Sequence, residues 1–401
     1  MKKLYLILCI SILYSCSSDN KDQKYSDGLT SYFYVVDLDK ATKQDTIKLS
    51  SYFRNVKTIL LETNKESLFG HIDGVQIWKD KIFILDKQYI KGVLVFNKDG
   101  RFIRRIGSIG QAPGEYIATS DFTIDENKEE IYLMDPESRR INKYKIETGE
   151  YINAIGIKEK GISIQHIQYE DGKLFGDAFY DKETDKRYML REIDLQTGLS
   201  LEKYLNVSIY NCDYNAFTFK NESFFYCRNQ GSPKYTQFFM DTVMTIDKGK
   251  IRPYLVIKSK EWVTKDIIKK VRENNSDFLE SPYFFEHSIA HDVSNLMEFG
   301  DFIYFKYYKK GIPTYVLYNK KTGETQCTNF LINDLLYSIN FRLQNIGCSY
   351  ENKIYGYVDN QQIPMFLDGI PYLVPDLDKI DKIRTLTPDS NPIIFYYECK
   401  K

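Results

Sequence analysis

The 401-residue sequence has no surplus of either charge and little proline. Its 55 lysines and arginines are balanced by 55 aspartates and glutamates. This balance argues against nucleic acid as a partner, because neutralising phosphates needs a basic surplus, and against a polybasic membrane patch. Only 11 prolines stand against 33 tyrosines and 25 phenylalanines, which favours strands over helices. With 43% hydrophobic and 27% charged residues, the composition is globular.

Long apolar runs are missing except at the start of the chain. Residues 4–13 are apolar and follow two lysines; this run is too short for a bilayer, which needs about 20 residues, but suits a signal peptide. Residues 13–16 resemble a lipoprotein cleavage box, which predicts a signal peptide over residues 1–15 and a lipid on Cys16. An ordinary signal peptide with an incidental cysteine is the alternative. Residues 16–44 are predicted to form a polar tether and lead-in.

The expected location is therefore the outer membrane, to which the protein would be anchored by lipid without spanning the bilayer. A short acidic run after Cys16 resembles the surface-export signal of Bacteroidetes lipoproteins, so the cell surface is favoured over the periplasm.

Cysteine spacing indicates no metal site and no cofactor. The cysteines beyond Cys16 are odd in number, fit no zinc pattern, and lie mostly in apolar strand patterns: Cys212, Cys227, Cys327, Cys348 and Cys399. Cys212 and Cys227 could form a disulfide; the alternative is that both are small apolar residues of the core.

A repeat organises the chain. Apolar strand-like runs recur with a spacing of about 40–50 residues in most cases, which is typical of propeller blades. They start at Ile82, Ile131, Leu174, Phe224, Ile303 and Ile354. Glycine-containing turns, which close β-hairpins, follow the first five runs at residues 97–100, 146–149, 195–198, 246–249 and 320–323. Six copies predict an all-β, six-bladed β-propeller over residues 45–401.

Two features complete this fold prediction. The early apolar segment 56–62 is expected to pair with the late strand 392–398, which would close the ring and remove two exposed edges. Insertions are expected at about residues 259–298 and 361–390, the first containing a short helix between blades 4 and 5.

The sequence also resembles a known group. The resemblance is to an NHL-type repeat and, more closely, to the six-bladed β-propeller lipoproteins of Bacteroidetes. It rests on residues 107–116, 121–125, 131–144, 45–63 and 391–394. It covers most of the chain after Cys16 and is sharpest over residues 45–157. Because that group has no defined activity, the resemblance implies architecture rather than chemistry.

Motifs with chemical meaning are few. The glycines at 107, 110 and 114 fit neither a dinucleotide fingerprint nor a phosphate loop, and are read as a loop between blades. Asp86 and Asp135 end equivalent strands and are candidate propeller-face carboxylates; capping the following turn is the alternative. His287 and His291 have a helical i, i+4 spacing but lack the glutamate of a zinc-protease motif, so no metal is predicted.

The first insertion is the candidate ligand or partner surface. It holds an aromatic-rich set: Trp262, Tyr283, Phe284, His287 and His291. Such a set on a rigid ring suits recognition. The alternative is that these side chains only attach the insertion to blades 4 and 5.

Two functions follow from these patterns. The favoured one is a non-catalytic binding or scaffold module for a glycan, a peptide or a partner protein. The alternative is a propeller enzyme, a lyase or hydrolase, with its site at the central channel. The histidines argue against the enzyme, because His71, His166, His287 and His291 lie in dissimilar blade contexts.

Overall fold

The computed structural model describes residues 33–178, 188–212, 214, 220, 222–225, 232–273, 281–336, 346–368 and 378–400. Within these residues, six sheets of four or five strands form a ring, which is a six-bladed β-propeller. The predicted fold class is confirmed.

The first three blades are four-stranded antiparallel sheets in which each strand pairs with the next along the chain. Blade 1 contains Gly74–Trp78, Lys81–Asp86, Gly92–Asn97 and Phe102–Ile106. Blade 2 contains Asp121–Asp125, Glu130–Asp135, Arg140–Lys145 and Tyr151–Gly156. Blade 3 contains Ile167–Glu170, Lys173–Asp177, Tyr188–Ile193 and Ser200–Asn206.

The other three blades recruit strands from the N-terminal part of the chain. Blade 4 contains Phe224–Phe225, Lys234–Tyr235, Thr242–Asp247 and Lys250–Lys258, with Tyr34–Asp37 parallel to the last. Blade 5 contains Ala290–Phe299, Phe302–Lys309, Ile312–Asn319 and Thr325–Thr328, with Thr42–Lys43 parallel to the last. Blade 6 contains Ile346–Tyr350, Lys353–Val358, Ile393–Cys399 and Phe53–Leu60.

Short elements connect the blades. The parallel strand pairs are Ser108–Ile109 with Glu115–Tyr116, and Ile47–Lys48 with Leu331–Ile332. The α-helices are Val207–Tyr210, Lys265–Glu273, Pro282–Glu286, Ile363–Asp368 and Ile380–Ile383; the 3-10 helices are Leu49–Ser51 and Asn360–Gln362. In the part of the chain described, no helix combines the length and apolarity needed to cross a bilayer.

The second strand of each blade explains the repeated apolar runs. In Lys81–Asp86, Ile82 and Ile84 pack in one core cluster with residues of blade 6, whereas Phe83 and Leu85 pack in another with residues of blade 2. Both faces of the strand are buried, so its sequence is continuously apolar instead of alternating.

One predicted copy has a different place. Phe224 begins the first strand of blade 4, whereas the other five runs coincide with second strands. Among the described residues, the inner strands of blade 4 span two residues each, and Lys234–Tyr235 has no apolar run to mark it. The five glycine turns all join third to fourth strands.

The N-terminal segment ties blades 4, 5 and 6 together. After its edge strands on blades 4 and 5, it supplies Phe53–Leu60, which runs antiparallel to Ile393–Cys399. This pairing lies where the sequence predicts ring closure. The lead-in before residue 45 thus covers two sheet edges, a role that its polar composition does not reveal.

Candidate functional site

A cavity of about 720 Å³ lies where the first strands of the six blades meet. In each blade the end of the second strand lies beside the start of the first, so both contribute to the same end of the ring. The polar lining residues include His71, Asp73, Gln76, Lys87, Gln88, Asp121, His166, Lys220, Glu222, Ser223, Asp292, Ser294, Asn295, Lys306, Tyr308 and Tyr357.

A buried polar network fixes His166 at the wall of this cavity. The imidazole Nδ1 lies 2.6 Å from Oδ2 of Asp177, which ends the second strand of blade 3. From blade 4, Ser223 donates to the same carboxylate oxygen at 3.0 Å, and Gln237 donates to the Ser223 hydroxyl at 2.8 Å. Because Ser223 approaches the Nδ1 side of the ring, as Asp177 does, this is not the geometry of a Ser-His-Asp triad.

The pKa values of this pair reflect their mutual contact. Burial opposes the charge on His166, but the Asp177 charge and hydrogen bond outweigh it, so the pKa of His166 is raised. Burial likewise opposes the charge on Asp177, yet the pKa of Asp177 is lowered by His166 and by backbone amides. The pair is therefore held in its charged form.

Lys220 and Glu222 enter the cavity from blade 4. Burial lowers the pKa of Lys220 to about 8, although Asp292 and Glu222 oppose this shift. Burial raises the pKa of Glu222 to about 7, against the effects of Lys220 and His166. The Lys220 ammonium donates to the backbone carbonyl of Val293 in blade 5. Both groups titrate close to neutral pH, which is typical of functional sites.

Other carboxylates at the cavity hold backbone in place. Asp121 of blade 2 accepts from the Ile167 amide of blade 3 at 2.8 Å, and burial raises the pKa of Asp121. Asp73 accepts from the Lys87 amide at 2.7 Å. The lining is consequently positioned by hydrogen bonds within and between blades.

The two strand-end carboxylates predicted from the sequence accept hydrogen bonds from the backbone amides of the turns that follow them. Asp86 is buried and accepts from the amides of Gln88 and Tyr89 at 2.9 and 2.8 Å. Asp135 accepts from the amides of Glu137 and Ser138 in the same way. These contacts favour the capping alternative, and neither residue lines the cavity.

The aromatic set of the first insertion packs in pairs and against the core. Trp262 and Phe284 are 5% and 3% exposed and belong to the core between blades 4 and 5. Tyr283 stacks on His287 at a centroid distance of 3.9 Å, and His291 is buried against Phe284. This placement favours the attachment alternative. Cys227, of the Cys212–Cys227 disulfide considered from the sequence, lies outside the described residues.

The cavity residues escaped sequence reasoning because no local motif joins them. His166, Asp121, Glu222 and Asp292 come from four different blades and meet only in the closed ring. One signal was present: Asp177 occupies the strand-end position of Asp86 and Asp135 in its own blade, and its carboxylate contacts the His166 ring. Over the described residues, no group of three or more potential ligands is placed to hold a metal ion.

The fold and site define a six-bladed β-propeller with a polar central cavity. The chain belongs to the family described as Domain of unknown function (DUF4934), whose model matches residues 33–398.

Two solved structures are similar to this chain to different degrees. A protein from Bacteroides fragilis, described as an exported protein, is 18% identical with a TM-score of 0.74, covering 92% of this chain and 100% of its own. A DUF4221-family member from Bacteroides vulgatus is 13% identical with a TM-score of 0.43, covering 87% and 94%. The similarity to the first structure supports the fold alone. The similarity to the second is too weak to support a conclusion. A comparison with curated proteins finds no match.

Proposed function

We propose that the protein is an exported, lipid-anchored β-propeller that binds a small polar ligand, a glycan or a peptide, in its central cavity without transforming it. The observation that carries this proposal is the convergence of six blades on one cavity of about 720 Å³. That volume lies within the range of about 300–1,000 Å³ usual for ligand sites.

The roles of the lining carboxylates favour binding over catalysis. Asp73, Asp121 and Asp292 each accept a hydrogen bond from a backbone amide, so they shape the cavity wall. A wall that is ordered before the ligand arrives reduces the entropic cost of binding.

Export and lipidation rest on the N-terminal sequence, with its apolar run before Cys16. The relative from Bacteroides fragilis is itself described as exported. The resemblance to Bacteroidetes propeller lipoproteins, with NHL-like repeats, points in the same direction.

A channel enzyme, a lyase or hydrolase, is the second candidate. One observation favours it: His166 is oriented by Asp177 near Glu222 and Lys220, whose pKa values are about 7 and 8. Groups that titrate near neutral pH suit acid–base catalysis. This candidate requires that a bound ligand be chemically changed.

Blocking the cavity mouth tests the proposal. Gln88 lies on an exposed turn and lines the cavity, so Gln88→Trp should obstruct entry without disturbing the core. Lys98→Trp, on an exposed turn at the opposite end of the same blade, is the matched control. Oligosaccharides and tripeptides are screened by the rise in melting temperature that a ligand causes.

Ligands that stabilise the parent and the Lys98→Trp protein, but not Gln88→Trp, support the proposal. Equal stabilisation of all three proteins would place the ligand elsewhere and overturn it. Mass spectrometry of the recovered ligand separates the two candidates, because only an enzyme returns a changed molecule.

A further inference from the structure

The carboxylates that line the cavity are of two kinds. Asp73, Asp121 and Asp292 each accept a hydrogen bond from a backbone amide. The carboxylate of Asp292 also contacts Nδ1 of His291 at 2.9 Å. Glu222 lines the same cavity and is partly exposed, but within the described part of the chain it makes neither a hydrogen bond nor an ion pair. Of these four carboxylates, Glu222 is therefore the one that the protein itself does not engage.

The lysines of the cavity divide in a similar way. Lys220 is buried, and its ammonium donates to the backbone carbonyl of Val293. Lys87 and Lys306 are partly exposed, and the Lys306 ammonium lies 5.6 Å from the centroid of the Tyr308 ring. Over the residues that the structure describes, neither of these two ammonium groups forms an ion pair with a carboxylate. The cavity thus contains charged groups of both signs that lack an ion-pair partner.

Glu222 and Lys306 face the same space. Burial raises the pKa of Glu222 to about 7, and the charge of Lys306 is among those that oppose this shift. The two side chains therefore share one electrostatic environment, although they form no ion pair. A ligand that enters displaces water from both, and groups of opposite charge compensate best for the hydration that is lost. A neutral ligand compensates for neither charge, and a ligand with one charge compensates for only one of them.

We propose that the ligand is a zwitterion, an amino acid or a short peptide with free termini, whose ammonium binds Glu222 and whose carboxylate binds Lys306. An ammonium only donates hydrogen bonds and a carboxylate only accepts them, which matches an ionised glutamate at one end and a lysine at the other. This inference rests on the proposed binding function and names the ligand class of the same cavity.

Calorimetric titration tests both contacts with trialanine and three blocked forms of it. N-acetyl-trialanine lacks the ammonium, trialanine amide lacks the carboxylate, and N-acetyl-trialanine amide lacks both. A pH of about 7.5 lies between the pKa of Glu222 and that of a peptide amino group, about 8, so both groups are mainly charged. Each single block should weaken binding about tenfold, the effect of one lost ion pair, and the double block about a hundredfold. Alanine and dialanine, which carry the two groups closer together, distinguish an amino acid from a peptide.

Two substitutions assign each end of the ligand to one side chain. Glu222→Gln should weaken trialanine about tenfold but leave N-acetyl-trialanine unaffected, because that peptide has no ammonium. Lys306→Met should weaken trialanine equally but leave trialanine amide unaffected. The matched controls are Glu202→Gln, on the outer strand of blade 3, and Lys98→Met, on an exposed turn, which should leave every affinity unchanged. The melting temperature shows whether each variant is folded, and the blocked peptides test the same contacts on the parent protein.

The outcomes distinguish this inference from the function on which it rests. If maltotriose, a neutral sugar, binds and is blocked by Gln88→Trp while alanine, dialanine and trialanine all fail to bind, the cavity is a ligand site but not for a zwitterion. Equal binding of trialanine and its N-acetyl amide would also overturn the inference. If trialanine binds equally to the parent, Gln88→Trp and Glu222→Gln proteins, it binds elsewhere and both proposals fall. A loss of affinity in Lys87→Met but not in Lys306→Met would contradict the contact assigned to Lys306.

Discussion

His166 and Asp177 form a double contact in blade 3: the carboxylate holds the backbone amide of His166 at 2.8 Å and its ring nitrogen Nδ1 at 2.6 Å. One side chain therefore fixes both the strand entry and the imidazole orientation. Nδ1 is thereby committed to Asp177, in a residue that lines the cavity.

Replacing this carboxylate should reveal the energy of the pair. Because the pKa of His166 is raised on folding, protonated His166 stabilises the fold fully below pH 6.5. This stabilisation is lost as the pH rises through the folded-state pKa. Because the pKa of Asp177 is lowered on folding, ionised Asp177 stabilises the fold fully above pH 3.8. That stabilisation is lost as the pH falls through the folded-state pKa. Asp177→Asn should thus cost most between pH 3.8 and 6.5, about 3 kcal/mol. Urea unfolding at pH 5 and pH 9 measures the difference.

Histidine titration by NMR gives a second measurement on the same variant. Without Asp177, the Asp121 charge still opposes the effect of burial while Lys87 adds to it, so the pKa of His166 should fall below 6.5. Asp86→Asn, at the equivalent position in blade 1, is the control and should leave the His166 titration where it was. A His166 titration unaffected by Asp177→Asn would contradict the assignment.

Asn391 should be a strong contributor to ring closure. Its buried side chain donates to the carbonyls of Glu62 and Ser67 at 2.7 and 2.9 Å and accepts from the Phe69 amide at 3.1 Å. Asn391→Ala deprives the Ser67 carbonyl and the Phe69 amide of their partner, whereas the Glu62 carbonyl keeps the Ser67 hydroxyl at 2.7 Å. The substitution should cost about 3 kcal/mol of unfolding free energy.

The matched control for ring closure is Asn55→Ala. Asn55 also joins the two closing strands, through Glu398 at 3.0 Å, but this contact is exposed. Its loss should cost less than about 1 kcal/mol, because water replaces the bond. Chemical denaturation of both variants decides; equal losses would show that burial of the Asn391 contacts is not what matters.

The blades could be predicted from the sequence because their pattern is local. A strand such as Lys81–Asp86 is buried on both faces, which leaves an uninterrupted apolar run that any window detects. Asn391 was part of the recognised ending at residues 391–394, and its three hydrogen bonds give that segment a physical reason. Blade 4 was misplaced by one strand because its second strand, Lys234–Tyr235, is too short to leave a pattern.

The cavity could not be predicted, because its chemistry is assembled by closure of the ring. His166 and Glu222 are far apart in sequence and meet only through contacts between blades 3 and 4. The aromatic insertion attracted attention by composition, yet Trp262 and Phe284 are buried where insertion and blades meet. Aromatic residues mark burial as readily as recognition.

The N-terminal edge strand should be needed for stability. Val36 is fully buried and pairs with Ile257 on the edge of blade 4, whereas its neighbour Val35 is partly exposed. Val36→Asp places a charge in the core and should cost about 3 kcal/mol or more. Val35→Asp is the control and should cost less than about 1 kcal/mol. Calorimetric melting compares them; a similar loss for both would show that the strand does not pack as described.

The last prediction concerns the lipid. If Cys16 carries the anchor, Cys16→Ala removes the only thiol at the predicted cleavage box and should shift the protein from the membrane fraction to the soluble fraction. Cys9→Ala, within the predicted signal peptide, is the matched control and should leave the protein in the membrane fraction. Because a signal peptide that stays uncleaved would also retain the chain, the N-terminal residue of each product is determined by mass spectrometry. Retention of Cys16→Ala in membranes with residues 1–15 removed would contradict lipidation, since neither lipid nor signal peptide would then account for the attachment.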